Sequence, residues 1–347
     1  MKITHEKLNE LLLVASDNAK VFVPQKIDGT TNFHLIAEDA KIDLDTVRTK
    51  TPPKEIIFPQ TEKILTTRST AGKILEIREA AEVENTVIFG VRPCDARGFM
   101  LLDNFFMDTK RKDGGEQKHV DPQWIKHREK TLIFSVACTK PLSTCSCTSL
   151  GVQPADEKGS DLLFIPDIGG YTVMQVSEKG KKFLADNKSF FTDEGNPAAA
   201  QAEANKKCES MISFKIPTEN AGKLMGLYKK TDVWEEVSMG CITCGVCTLL
   251  CPTCHCFETR EIKTRPDESE KIKCWDSCSF CTYSLEASGH NPRPTTADRF
   301  KNRILDKFEY HMTLYGEIAC TGCGRCTDLC PAGISLADTL ASLGGAL

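Results

Sequence analysis

The chain has 347 residues, of which 40% are hydrophobic and 27% charged, with a formal net charge of −4. This is enough for two or three domains with ordinary cores, and the mild negative charge disfavours nucleic acid as a partner. Eighteen cysteines would suit a secreted disulfide scaffold, but the polar start Met1-Lys-Ile-Thr-His-Glu is followed by no apolar leader, so a reducing cytoplasm is the expected location. No run approaches the roughly twenty apolar residues of a bilayer span, so direct membrane insertion is not expected.

Apolar spacing predicts an amphipathic helix over 2–16, then a strand at 21–23, with 30–66 irregular and extended. Runs at 84–93 and 130–137 are rich in β-branched and aromatic residues and end at cysteine-containing turns, which predicts two buried strands of an α/β sheet. A helix over 95–106 lies between them, giving a βαβ-like unit with cysteines at the strand ends, where ligands commonly sit. A hairpin over 162–176 turning at Asp167-Ile-Gly-Gly170 follows, then helices near 178–187, 198–211 and 220–230. The expected organisation is α+β. An α/β domain over 1–230 precedes a ferredoxin-like, mainly α-helical domain over 231–347, which carries a long insertion at about 253–319.

That second domain contains a spacing that occurs twice. Cys241-Ile-Thr-Cys244-Gly-Val-Cys247-Thr-Leu-Leu-Cys251-Pro252 returns as Cys320-Thr-Gly-Cys323-Gly-Arg-Cys326-Thr-Asp-Leu-Cys330-Pro331. This C-x2-C-x2-C-x3-C-P pattern is the signature of two [4Fe-4S] clusters. Three closely spaced thiolates wrap one cubane while the fourth points to the other. Crossed ligation therefore puts Cys241, Cys244, Cys247 and Cys330 on one cluster and Cys320, Cys323, Cys326 and Cys251 on its neighbour. Zinc normally takes four thiolates in two separated pairs, a different geometry. Gly245 and Gly324 are expected to let backbone N–H groups approach the sulfurs.

Ten cysteines remain. Cys94, Cys138, Cys145 and Cys147 fall at the exits of the two predicted strands. They either close a third [4Fe-4S] site, with Arg92, Arg97 or Lys140 offsetting its charge, or are ordinary small buried residues. Cys208, alone on its helix, is expected to be structural. Within the insertion, Cys254, Cys256 and Cys278, with Cys274 or Cys281, either supply a further site or line the existing clusters. His255 and His290 read as hydrogen-bonding residues. A capped helix over 295–311 puts Phe300, Ile304, Leu305 and Phe308 on one side; its Arg299, Lys301, Arg303 and Lys307 read most simply as a solvated basic face, with docking or tuning of a cluster as the alternative.

The segments Phe89-Gly-Val-Arg-Pro-Cys-Asp95, Cys138 to Cys147, Cys251-Pro-Thr-Cys-His-Cys256, Trp275-Asp-Ser-Cys278, Gly289-His-Asn-Pro-Arg-Pro294 and Cys320 to Pro331 together resemble the 4Fe-4S dicluster protein family. That family is typified by the β subunit of sulfhydrogenase, a soluble NiFe hydrogenase, and by the corresponding iron-sulfur subunit of anaerobic sulfite reductase. The resemblance implies an electron-transfer subunit between a flavin- and NAD(P)-binding, diaphorase-like subunit and a catalytic hydrogenase or reductase subunit of an anaerobic oxidoreductase complex. Cys274 and Cys281 depart from what the resemblance requires. No Gly-x-Gly-x-x-Gly follows a strand and no phosphate loop is present, so no flavin or nucleotide is predicted on this chain. The alternative function is a flavin-dependent dehydrogenase subunit feeding its own clusters, recognisable by flavin absorbance of the isolated chain.

Overall fold

The computed structural model describes residues 1–70, 73–80, 82–108, 111–112 and 120–347. The elements of the first half are β1 (Lys2–Thr4), α1 (His5–Ser16), β2 (Lys20–Ile27), β3 (Thr30–Leu35), the short α2 (Lys54–Ile57), β4 (Thr61–Thr70), β5 (Lys73–Glu79), β6 (Thr86–Val91), α3 (Pro93–Phe106), α4 (Pro122–Lys130), β7 (Thr131–Val136), β8 (Leu162–Asp167), β9 (Gly170–Gln175), α5 (Glu178–Asp186) and α6 (Pro197–Glu209). Then come α7 (Thr231–Ser238), the short α8 (Val246–Leu249), β10 (Phe257–Arg265), β11 (Glu268–Trp275), α9 (Thr296–Leu305), the short α10 (His311–Tyr315) and α11 (Arg325–Asp328), and α12 (Leu336–Ala346). The mixed α and β content expected from the sequence is present.

The larger sheet has the order β1-β9-β8-β7-β6-β2-β3. β2, β6, β7 and β8 run parallel, and β1, β9 and β3 add antiparallel flanks. β6 is buried on both faces because its alternate side chains enter two cores. Val87 and Phe89 join Leu8, Leu11 and Leu12 of α1 on one face, while Ile88 and Val91 meet Phe99, Leu102 and Phe106 of α3 with Trp124 of α4 on the other. This βαβ arrangement brings Cys94 and Cys138 to the carboxyl ends of two neighbouring parallel strands.

Three expectations are corrected. The stretch 30–66 is not simply irregular: it forms β3, paired with β2, and opens β4. The helix expected over 220–230 is a 3-10 turn at Leu224–Leu227; Gly222 is left-handed at φ 79, and its N–H donates to Phe308 O at 2.8 Å instead of continuing a helical ladder. The insertion contributes a long hairpin, β10–β11, to a second sheet of order β10-β11-β4-β5. Periodicity misses these strands because both hairpins are rich in charged and Thr residues, with β5 exposed throughout and β10 nearly so.

The second sheet takes two strands from either side of the division expected near Thr231. Other contacts also cross that line. Lys54 Nζ, buried under the Trp275 ring at 4.4 Å, donates to Cys254 O at 2.7 Å, and Trp275 Nε1 donates to Phe58 O at 3.0 Å. Arg48 pairs with Asp328 and Arg97 with Glu317. The most buried link is Arg325, 1% exposed, whose guanidinium makes a two-pronged pair with Asp95 at 2.5 and 2.8 Å and also donates to Thr49 O at 3.0 Å. Removing one partner of a buried ion pair strands the other charge in the interior. Asp95→Ala is therefore expected to destabilise the protein by about 3–5 kcal/mol, read from anaerobic denaturant unfolding, with Asp95→Asn milder because it still accepts one hydrogen bond.

Candidate metal centres

The two repeated motifs fold alike. In each, an irregular loop carries the first two cysteines and reaches a left-handed glycine, Gly245 at φ 77 and Gly324 at φ 76, which is the N-cap of a one-turn helix, α8 or α11. The third residue of each loop also has positive φ, Thr243 at 56 and Gly322 at 64. The glycines are required by close approach as well as by conformation. A Cβ on Gly245 would lie 2.6 Å from the Phe280 ring, and one on Gly324 would lie 2.5 Å from Thr144 O.

The loops form two cavities. Cys241, Cys244, Cys247 and Cys330 line the first, a space of about 540 Å³ counted out to its mouth, together with Phe300, Ile304 and Arg303. Cys251, Cys320, Cys323 and Cys326 line the second, about 430 Å³ on the same measure, with Thr144, Thr321, Arg303 and Lys307. Each cavity thus gathers three thiols of one motif and the last thiol of the other. Cys326 also lines the first cavity, so the two spaces adjoin. Among the described residues no three His, Cys, Asp or Glu side chains converge on a single metal ion; a cubane, with an iron at each ligated corner, holds its thiolates farther apart.

The surroundings fit an iron-sulfur group. Burial pushes the thiol of Cys320 up to about 12 and that of Cys323 up to about 11, so these groups ionise only beside compensating positive charge, such as iron. Three buried polar atoms of the second cavity, Thr144 Oγ1, Thr321 Oγ1 and Arg303 Nε, have no hydrogen-bond partner in the protein. Sulfide and thiolate accept such donors, and hydrogen bonds of this kind tune cluster potential. At the first cavity, Ile334 N–H already donates to Cys330 Sγ at 3.4 Å.

Three of the basic residues expected on a solvated face are instead turned inward, whereas Lys301 remains partly exposed in a pair with Asp298. Arg299 and Arg303 are buried and Lys307 is 1% exposed. Lys307 Nζ donates to Thr253 Oγ1 at 2.8 Å and Ala319 O at 3.2 Å; Arg303 donates to Cys247 O at 3.3 Å. Burial opposes the charge of both, but the thiols outweigh it and raise both pKa values: Cys247, Cys326, Cys254 and Cys251 around Arg303, and Cys251 and Cys254 around Lys307. α9 passes at Asp306–Tyr310 into a π-helical turn, which leaves Lys307 O to accept from Ala319 N at 2.8 Å and Phe308 O from Gly222 N. The sequence pattern missed this because a helix surrounded by cysteine loops buries its polar side as well as its apolar one.

The remaining cysteines separate into groups. Cys254 lies beside Cys251, and Cys256 beside Cys278, with Tyr283 near the latter pair. Cys254, Cys256 and Cys278 thus gather near Cys251 and Lys307, whereas Cys274 lies on β11 opposite Glu258 and Thr61, and Cys281 is exposed. His255 stacks on Phe105 at 3.7 Å, with Nδ1 against Thr253 O at 3.2 Å. Cys138, Cys145 and Cys147 come together at the end of β7, and Cys94 lies in the first turn of α3, near Cys323 and Cys138. The loop between them dovetails with the second motif. Thr144 and Ser146 line the second cavity, Ser146 N donates to Gly322 O at 2.9 Å, and a Cβ on Gly322 would strike Ser146 and Cys147 backbone at 2.5 and 2.6 Å.

Residues 240–334, which carry both repeated cysteine loops and the two cavities they form, match the 4Fe-4S dicluster domain family. Over nearly its whole length the chain is similar to the sulfhydrogenase 2 subunit beta of Pyrococcus furiosus, 29% identical over 337 residues, or 96% of this chain and 95% of that one. It is also similar to the F420-dependent formate dehydrogenase subunit beta of Methanocaldococcus jannaschii, 24% identical over 170 residues, 48% of this chain and 37% of that protein. No solved structure matches.

Gly324→Ala combines a strained φ with a backbone collision at the wall of the second cavity. It is expected to lower iron content by about four atoms per chain, one cubane. Gly151→Ala, at φ 71 with nothing within 4 Å, is expected to retain full iron in the same colorimetric assay.

Proposed function

We propose that this chain is the iron-sulfur electron-transfer subunit of a multisubunit oxidoreductase, with one [4Fe-4S] cluster on Cys241, Cys244, Cys247 and Cys330 and a second on Cys320, Cys323, Cys326 and Cys251. The observation that carries this reading is the partition of those eight thiols into two adjoining cavities. Each cubane, when bound, takes up and releases one electron. The chain's own residues supply the rest: thiols that anchor the clusters, Thr144 and Thr321 hydroxyls as donors, and the buried cations Arg303 and Lys307, which favour the more negative, reduced state.

The partners implied are a flavin- and NAD(P)-binding subunit on one side and a catalytic hydrogenase or reductase subunit on the other. Both relatives, beta subunits of a sulfhydrogenase and of a formate dehydrogenase, belong by name to such complexes and support a role within one. Among the described residues no helix is long and apolar enough to cross a membrane. A third cluster site where Cys138, Cys145 and Cys147 meet would extend the relay towards the strand ends.

In the complex purified anaerobically, Cys244→Ser and Cys323→Ser are each expected to remove or distort one cluster and slow transfer between the partner subunits sharply. Unchanged iron content and turnover in both would overturn the assignment. Lys307→Gln is expected to keep the iron but lower the potential of the second cluster on the order of 60 mV, the one-electron equivalent of roughly 1.4 kcal/mol of lost attraction, in an EPR-monitored redox titration.

A further inference from the structure

Cys208 does not stand alone. It lies near the end of α6, 1% exposed, on a helix whose Ala200 and Ala204 pack on Ala137 and Ala155 beside the end of β7. One turn earlier, Asn205 accepts a hydrogen bond from Ala155 N at 2.7 Å and donates to Gln153 Oε1 at 2.9 Å. The same strap, 152–155, fixes two of the other cysteines. Cys138 N donates to Pro154 O at 2.9 Å, and Val152 N donates to Cys147 O at 3.1 Å. Cys145 is oriented within its loop by Leu142 N, which donates to its Sγ at 3.3 Å.

One four-residue strap therefore holds Cys138, Cys147 and the Cys208 end of α6 together. Every pair among Cys138, Cys145, Cys147 and Cys208 lies within electrostatic reach. Cys94 is placed differently. Its thiol neighbours are Cys323, which lines the second cavity, and Cys138.

We propose that Cys208 joins Cys138, Cys145 and Cys147 as the fourth ligand of a third [4Fe-4S] site, and that Cys94 stands in the wall between that site and the second cluster. This rests on reading the chain as an iron-sulfur relay. The geometric reason is that four thiolates must reach a cubane from different directions. Cys138, Cys145 and Cys147 all come from one loop, and a separate element is needed to supply the remaining corner. α6 does so from across the strap. The added negative charge has cations beside it: Arg92, buried at the end of β6, and Arg48, whose Nη1 lies 4.0 Å from Cys145 Sγ.

The test uses the full chain with its partner subunits, purified anaerobically, with iron and sulfide counted per chain and the reduced protein examined by EPR. Cys208→Ala and Cys208→Ser are each expected to lose or convert one cluster, with Cys208→Ala lower by about four iron atoms, while the signals of the paired-motif clusters persist. Cys94→Ala is expected to keep the wild-type iron count. Full iron and unchanged spectra in both Cys208 variants, or the same four-iron loss in Cys94→Ala, would overturn the proposal. So would loss of every cluster in both Cys208 variants, the outcome of a merely structural cysteine. A wild-type count of about eight iron atoms would remove the third site yet leave the paired-motif relay intact, whereas a count near zero would remove the relay itself.

Discussion

The buried pair between Arg325 and Asp95 is the constraint on which the rest of the arrangement depends. Arg325 belongs to the second cysteine motif, between Cys323 and Cys326, and Asp95 follows Cys94 at the start of α3. Two opposite charges taken out of water are stable only with close geometry and further hydrogen bonds, which Thr49 O helps to provide. Meeting that requirement fixes the register of the second motif against the carboxyl end of the parallel sheet. Ser146 then bonds Gly322, Thr144 abuts Gly324, and Thr144 and Ser146 are left lining the cavity of the second motif while Cys145 and Cys147 gather with Cys138.

This dovetail joins the second cysteine motif directly to the loop that follows β7. The cavity of the second motif has one wall from the motif itself and another from the 142–147 loop of the sheet domain. The 4-stranded sheet, shared by β4–β5 and β10–β11, and the Lys54 contact with Cys254 O tie the insertion to the same face. A relay gains from such construction, because rigid neighbours fix the separation of the centres and exclude water that would screen the charges between them.

Charge is arranged with the same economy of parts. Thiol-rich interiors repel additional electrons, and the countercharge comes from a single helical segment that threads between both cavities, Arg303 reaching each and Lys307 the second. The π-helical turn at Asp306–Tyr310 changes the helical phase where Lys307 enters. An amphipathic pattern reads Phe300, Ile304, Leu305 and Phe308 as core, and they are at least half buried. It assigns the cations to solvent because periodicity has no term for a second buried face.

The sequence by itself determined the iron-sulfur class of the repeated motifs and the form of each cysteine loop, because C-x2-C-x2-C-x3-C-P encodes local loop geometry: short spacings, a left-handed glycine and a proline stop act over a dozen residues at most. It determined likewise the central strands β6 and β7, the helix α3 between them and the β8–β9 hairpin, whose apolar runs and turn residues are also local signals. Only the tertiary structure decided which distant residues complete the surroundings. The placing of Cys208 beside Cys138, of Thr144 and Lys307 around the second cavity, of Arg325 against Asp95, and of two charged, exposed hairpins in one sheet each depends on contacts between segments far apart in the chain, and such contacts leave no periodic trace in the residues that make them.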